Sequence, residues 1–211
     1  MMAPLTRILV ADDHPVVRSG LVAILDQPAE FSVVAEAADG VEAVELFARL
    51  APDVCVLDLR MPRLSGLEAT ERIRRLDPQA KIVVLSSFDG DEDIYRALKA
   101  GARSYLLKDT PEPELIAAVR AVAAGLRRIP PAVAERLAAR LDAGELTGRE
   151  LEILERIVRG EANKQIGAAL GITEGTVKSH VNHLLAKLGV GDRTEAAVAA
   201  LRRGLVRPGS S

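Results

Sequence analysis

Residues 54–66 read "VCVLDLRMPRLSG". Four apolar residues end on a carboxylate, Asp58, and the chain then breaks at Met61-Pro62 before Gly66 opens a helical pattern. A run that is apolar throughout, rather than at alternate positions, belongs to a strand buried on both faces, as in a parallel sheet. Counted from Asp53, this run has counterparts at 7–11 (RILVA), 31–37 (FSVVAEA), 81–87 (KIVVLSS) and 104–107 (SYLL). The segments between them, and the one after the fifth, space their apolar residues at three and four, which predicts helices. Five strand–helix units in succession predict a doubly wound α/β domain with a five-stranded parallel sheet, ending near Gly125.

The chain has 211 residues, of which 48% are hydrophobic and only 2% aromatic, so any core must be aliphatic. That length accommodates two small domains. A net charge of −2 leaves room for a locally basic face. One cysteine, Cys55, excludes a disulfide within the chain and reads as a small buried hydrophobe. No apolar stretch approaches the roughly 18 residues that span a bilayer, and the N-terminus lacks a signal peptide's pattern. A soluble, cytoplasmic protein without membrane contact is the expectation.

Beyond Gly125 the pattern changes. Residues 126–146 carry a Pro-Pro break, an Ala/Arg/Leu helical stretch and Gly144, and read as a linker with some helix. From Thr147 the pattern is wholly helical. "TGRE" (147–150) is a capping box, and helices are predicted at about 148–159, 163–170, 174–188 and 192–204. Glycine-containing connections join them, as in a compact four-helix bundle. The predicted organisation is therefore 1–125, a linker at 126–146, and a second domain at 147–206, with a polar tail.

In a doubly wound parallel sheet, side chains that do chemistry gather at the carboxyl ends of the strands. Strand one ends in Asp12-Asp13, strand three in Asp58 and strand four in Ser86, and Lys108 follows strand five. Three carboxylates drawn together repel one another and require a cation; all-oxygen ligands favour Mg²⁺. A lysine and a hydroxyl beside them suit phosphoryl oxygens. The chemistry that fits is phosphoryl transfer to a carboxylate, with Asp58 as nucleophile and Mg²⁺ held by Asp12 and Asp13.

"ILVADDHP" (8–15), "VLDLRMPRLSG" (56–66), "VVLSS" (83–87) and "AGARSYLLKD" (100–109) resemble the receiver domain of bacterial response regulators, each motif at a strand's end and in the family's order. That resemblance implies a flavodoxin-like receiver with Asp58 as phosphoacceptor. It also implies Mg²⁺ on Asp12, Asp13, Asp58 and the Arg60 backbone carbonyl, Lys108 on the phosphate, and Ser86 and Tyr105 moving as a switch.

In the second domain, "NKQIGAALGITEGTVKSHVNHLLAKLGV" (163–190) has two apolar-striped helices joined at Gly171, with Thr173 as N-cap. The second helix concentrates polar residues on one face, which suits a major groove: Lys reads guanine, Asn reads adenine, and Thr and Lys suit phosphates. From Leu146 onward the chain resembles the LuxR-type helix-turn-helix, and the whole resembles a NarL/FixJ-type response regulator. The resemblance implies Lys178 and Asn182 facing bases. Thr176, Lys164, His180, Lys187 and Arg193 become backbone or positioning contacts, and the last helix pairs two copies. Gln165 and Gly167 depart from the family's usual Glu and Ala, and a helical glycine costs about 1 kcal/mol against alanine.

Implied partners are a sensor histidine kinase, double-stranded promoter DNA, RNA polymerase and a second copy of the chain. Catalysis would be confined to the chain's own phosphoryl transfer and dephosphorylation. The alternative from the enzyme class is a small phosphatase or nucleotide-binding protein with a helical appendage, against which stands the absence of a G-x-x-x-x-G-K-[ST] loop. The alternative from the binding class is a constitutive DNA-binding protein whose first domain only dimerises.

Overall fold

A computed structural model describes residues 5–87, 90–142 and 146–206. The first four residues, part of the linker (143–145) and the polar tail (207–211) lie outside the described residues. The chain forms two compact units, one built on a sheet and the other on the C-terminal helices.

The first unit has strands β1 (Thr6–Ala11), β2 (Phe31–Ala37), β3 (Val54–Asp58), β4 (Ile82–Ser86) and β5 (Ser104–Leu107). They alternate with helices α1 (Pro15–Leu25), α2 (Gly40–Leu50), α3 (Gly66–Leu76), α4 (Asp91–Lys99) and α5 (Glu112–Ala123). All pairings are parallel, in the order β2-β1-β3-β4-β5. The fold is the doubly wound one the runs predict, and every residue of β3 and β4 is buried.

Alternation divides the core. Ile8, Val10, Val54, Val56, Val83, Leu85 and Leu106 pack on Leu21 and Leu25 of α1 and on Leu115, Val119 and Val122 of α5. Leu9, Cys55, Leu57, Ile82 and Val84 have the opposite parity and therefore face the other side, where α2 and α3 lie against β1 and β3. The Cys55 thiol is fully buried, and burial pushes its pKa far above the usual range.

Local chemistry sets where the helices begin. Asp39 caps α2 by accepting from the Val41 and Glu42 amides at 2.8 and 3.0 Å. Ser65 and Glu68 form a capping box at the start of α3. The break after β3 is explained by Gly66. Its amide donates to the Leu59 carbonyl at 3.0 Å, and a Cβ built on it would lie 1.9 Å from the Asp58 carbonyl oxygen. Only glycine lets α3 start so close to the strand that ends in the acid.

Helix α6 (Pro131–Asp142) falls in the predicted linker. The second unit comprises α7 (Gly148–Val158), α8 (Asn163–Leu170), α9 (Glu174–Leu188) and α10 (Arg193–Arg202). Its core is Ile153, Leu154, Ile157, Ile166, Val177, Val181, Leu184 and Leu188, closed by Ala196, Ala200 and Val206. The Thr147–Glu150 capping box and the Thr173 cap, which accepts from the Thr176 amide at 3.1 Å, form as the sequence predicts. Gly171 ends α8 at φ 67°, in the left-handed region that glycine enters without strain. Gly167 has a packing reason: its Cβ would stand 2.7 Å from the Ile172 carbonyl oxygen, so the turn closes tightly over it.

Replacing Gly66 with Ala should therefore destabilise the first unit by at least about 2 kcal/mol, since the clash is with backbone and not with a side chain that can swing away. Denaturant melts followed by circular dichroism read this directly.

Candidate functional site

Strand register assembles the acidic pocket. Ala11 pairs with Leu57, so the next residues on each strand, Asp12 and Asp58, emerge side by side at the carboxyl edge. Asp58 itself pairs with Leu85, which puts Ser86 one step beyond it, and Ser86 pairs with Leu107, one step before Lys108. The Lys108 amide donates to the Ser86 carbonyl at 2.8 Å, holding that last step. Strand order reverses between β1 and β3, the place where such sheets open a crevice.

Lys108 bridges the two buried acids, with Nζ 2.7 Å from Asp12 Oδ2 and 3.0 Å from Asp58 Oδ2. Asp12 is fully buried and Asp58 is 4% exposed. Burial pushes the Asp58 carboxyl above its ordinary value and the Asp12 charge adds to this; Lys108 and the Arg60 backbone N–H pull the other way without cancelling it. Burial works against the Lys108 ammonium, but bonds to Asp12 and Asp58 outweigh it and raise its pKa. Asp13 stands at the mouth, where the His14 ring Nδ1 lies 2.7 Å from its Oδ1. The His14 amide donates to Asp12 Oδ1 at 2.8 Å.

Asp12, Asp13, His14 and Asp58 each offer a ligand atom, and these atoms lie within 4.8 Å of one another. Three carboxylates face one ammonium, so the pocket lacks positive charge. A carboxylate-rich set of this kind fits a hard divalent cation such as Mg²⁺. Of the predicted residues, Asp12, Asp13, Asp58 and Lys108 come together. Ser86 sits buried at the rim, Arg60 lies in the loop beyond β3, and Tyr105 is wholly buried two pairs deeper in β5.

The second candidate surface is the outer face of α9. Glu174, Thr176, Lys178, Ser179, Asn182 and His183 are exposed there, and Lys164 is exposed on α8. His180 is half-buried. Two predicted contacts are engaged inside the unit. Lys187 Nζ lies 2.7 Å from Glu150 Oε2, and Arg193 donates to Asn163 Oδ1 at 3.0 Å and to the Glu161 carbonyl.

Sequence reasoning missed three supporting residues. Arg18 donates to the Asp12 carbonyl at 2.7 Å and to Glu36 at 3.3 Å. His14 orients Asp13. Glu150 does more than cap: burial pushes its carboxyl up, but Lys187 and Thr147 outweigh that and hold it low, which ties α7 to the last turn of α9. The capping-box motif located Glu150; nothing local pointed to a lysine 37 residues away.

Comparison with known proteins bears on both sites. Residues 8–120 match the response regulator receiver domain family, and residues 144–200 match the luxR family of bacterial regulatory proteins. The chain is 45% identical to the transcriptional regulatory protein LiaR of Bacillus subtilis strain 168, over 95% of this chain and 99% of that one. It is 41% identical to the nitrate/nitrite response regulator NarL of Escherichia coli K12, over 90% and 93% respectively. Among solved structures, it resembles RcsB of Salmonella enterica serovar Typhimurium bound to promoter DNA with beryllofluoride. That match has a TM-score of 0.75 at 25% identity and covers 94% of this chain and 98% of that one. The response regulator ChrA of a heme-sensing system matches with a TM-score of 0.58 at 40% identity, covering 96% and 100%. No helix among the described residues is long and apolar enough to cross a membrane.

A raised Asp58 pKa means that the ionised carboxylate opposes folding: the stability present at low pH is lost as pH rises through the folded-state value. Asp58→Asn should therefore raise the melting temperature in EDTA at about pH 7.5, and the gain should vanish near pH 3, where the wild-type carboxyl is protonated. Paired thermal melts at the two pH values check the sign.

Proposed function

This chain belongs to the response regulators that join a receiver domain to a LuxR-type DNA-binding domain, a family of transcription regulators, and on that basis we propose how its residues divide the work. The receiver spans 1–125, the linker 126–146 and the DNA-binding domain 147–206. A sensor histidine kinase presents a phosphohistidine. An Asp58 carboxylate oxygen attacks the phosphorus, the O–P bond forms, the P–N bond breaks and the imidazole leaves. Asp12, Asp13, Asp58 and the Arg60 carbonyl would hold Mg²⁺, which when bound offsets charge on the phosphoryl oxygens.

Lys108 is the observation that carries this reading. Its ammonium already spans Asp12 and Asp58, so it stands where a phosphoryl group on Asp58 would need a cation. Phosphorylation converts the Asp58 oxygen from a partner of Lys108 into the anchor of a larger dianion. Lys108 and the Ser86 hydroxyl then turn to the phosphoryl oxygens, and Tyr105 follows Ser86. A bound group that favours one arrangement shifts the population toward it. The chain performs only its own phosphoryl transfer and dephosphorylation, with no turnover of a separate substrate.

On DNA, the exposed face of α9 enters the major groove. Lys178 and Asn182 read bases, and Lys164, Thr176 and His180 meet the backbone. Lys187 and Arg193 act from the edge, where Lys187 ties α9 to α7 through Glu150 and Arg193 ties α10 to α8 through Asn163. Helix α10 pairs two phosphorylated copies on promoter half-sites about 34–36 Å apart or a multiple of that. The promoter-bound dimer then works with RNA polymerase in the cytoplasm. RcsB, bound to promoter DNA in the presence of a phosphate mimic, supports the reading that the phosphorylated form engages DNA.

Asp58→Asn should take no label from acetyl phosphate or a phosphorylated kinase. Labelling at wild-type stoichiometry would remove Asp58 as acceptor. Lys178→Ala should cost about 1–3 kcal/mol of binding to the best promoter site, read by gel shift at fixed salt; an unchanged footprint would remove it from the interface.

A further inference from the structure

The loop from Leu59 to Ser65, which leads away from the phosphoacceptor, contains a backbone oddity. Arg63 sits at φ 61°, in the left-handed region that disfavours every residue with a Cβ. Glycine would adopt this conformation without strain. An arginine held there is explained by what its side chain does. Its Nε donates to Asp39 Oδ2 at 2.7 Å and its NH2 group binds the same oxygen. Asp39 is 6% exposed, and its other oxygen already caps α2 through the Val41 and Glu42 amides. The neighbouring backbone makes the same contact: a Cβ on Gly40 would stand 2.2 Å from the Leu64 carbonyl oxygen. The amino end of α2 is therefore seated on the loop, and the guanidinium fastens it.

We propose that Arg63 and Asp39 form a clamp that positions the loop carrying Arg60, and so presets the cation site of the receiver before any phosphoryl group arrives. This rests on the functional reading above, in which the Arg60 carbonyl is a metal ligand. Neither residue touches a reacting atom; both are positioning residues. The guanidinium is 61% exposed, and exposed ion pairs add little to global stability. What the clamp sets is the spread of loop conformations, and a ligand site loses affinity in proportion to the fraction of molecules not holding it ready.

The test uses the full chain and Mg²⁺ alone. Arg63→Gly removes the guanidinium and the backbone strain together. Asp39→Asn keeps a good helix cap while removing the charge that Arg63 grips. Calorimetric titration should show Mg²⁺ affinity falling by about tenfold in each variant, as for other residues that orient metal ligands. Melting temperatures should remain close to wild type, and amide exchange over 59–65 should quicken. The double variant should be no weaker than the singles, because one interaction is removed once.

A plain field effect gives a different pattern. Removing a cation at position 63 would strengthen Mg²⁺ binding, and removing an anion at position 39 would weaken it. Opposite signs, unchanged affinity in either single variant, or losses that multiply in the double variant would each overturn the clamp. Failure of the underlying reading is distinguishable. It would appear as Mg²⁺ binding that is absent from the wild-type chain or unchanged by Asp12→Asn, whereas failure of the clamp alone leaves Mg²⁺ binding dependent on Asp12 and indifferent to Arg63 and Asp39.

Discussion

Two carboxylates buried side by side repel each other unless a positive charge stands between them. The receiver unit is organised around that constraint. Parallel register brings Asp12 and Asp58 out together, and Lys108, delivered by the far strand of the same edge, spans both. The arrangement is incompletely neutralised: burial still disfavours the Asp58 anion, and Asp13 adds a further negative charge at the mouth. Such a pocket is poised to take up cations and to accept a group that changes the balance of charge. The aliphatic sheet keeps water away from Asp12 and Asp58 and makes their electrostatics strong.

Much of this was legible from residue order alone. Continuous apolar runs gave the strands because a parallel sheet buries both faces, and β3 and β4 are indeed buried throughout. Asp12, Asp58 and Lys108 could be placed because the carboxyl ends of such strands share one edge. Capping residues announced themselves by local spacing, as Ser65 with Glu68 and Thr147 with Glu150 show. What could not be read were pairs joined only by the fold. Arg63 with Asp39 and Lys187 with Glu150 link residues far apart in sequence, and a lone arginine or lysine looks like solvated surface. The left-handed backbone at Arg63 is equally silent, since glycine is the usual signal for it.

The helical unit depends on how closely its helices approach one another. Its core is a short stripe of Ile, Val and Leu closed by Ala196 and Ala200, so small residues decide how near the helices come. Gly167 exemplifies this. Helix propensity alone marks it as a weakness, whereas the Ile172 carbonyl against it shows that closeness is what the position supplies. The Glu150–Lys187 pair has a similar role, fixing the far end of α9 and leaving its amino-terminal face exposed.

Strand order also governs when the protein becomes competent during synthesis. β1 lies between β2 and β3, and Lys108 follows β5, with nearly half the chain separating it from Asp12. A nascent chain can pair β1 with β2 early, yet the acids stay uncompensated until the fifth strand has left the ribosome and docked. Pairings so distant in sequence form slowly. A chain cut short before β5 would therefore carry the two acids without the ammonium that spans them.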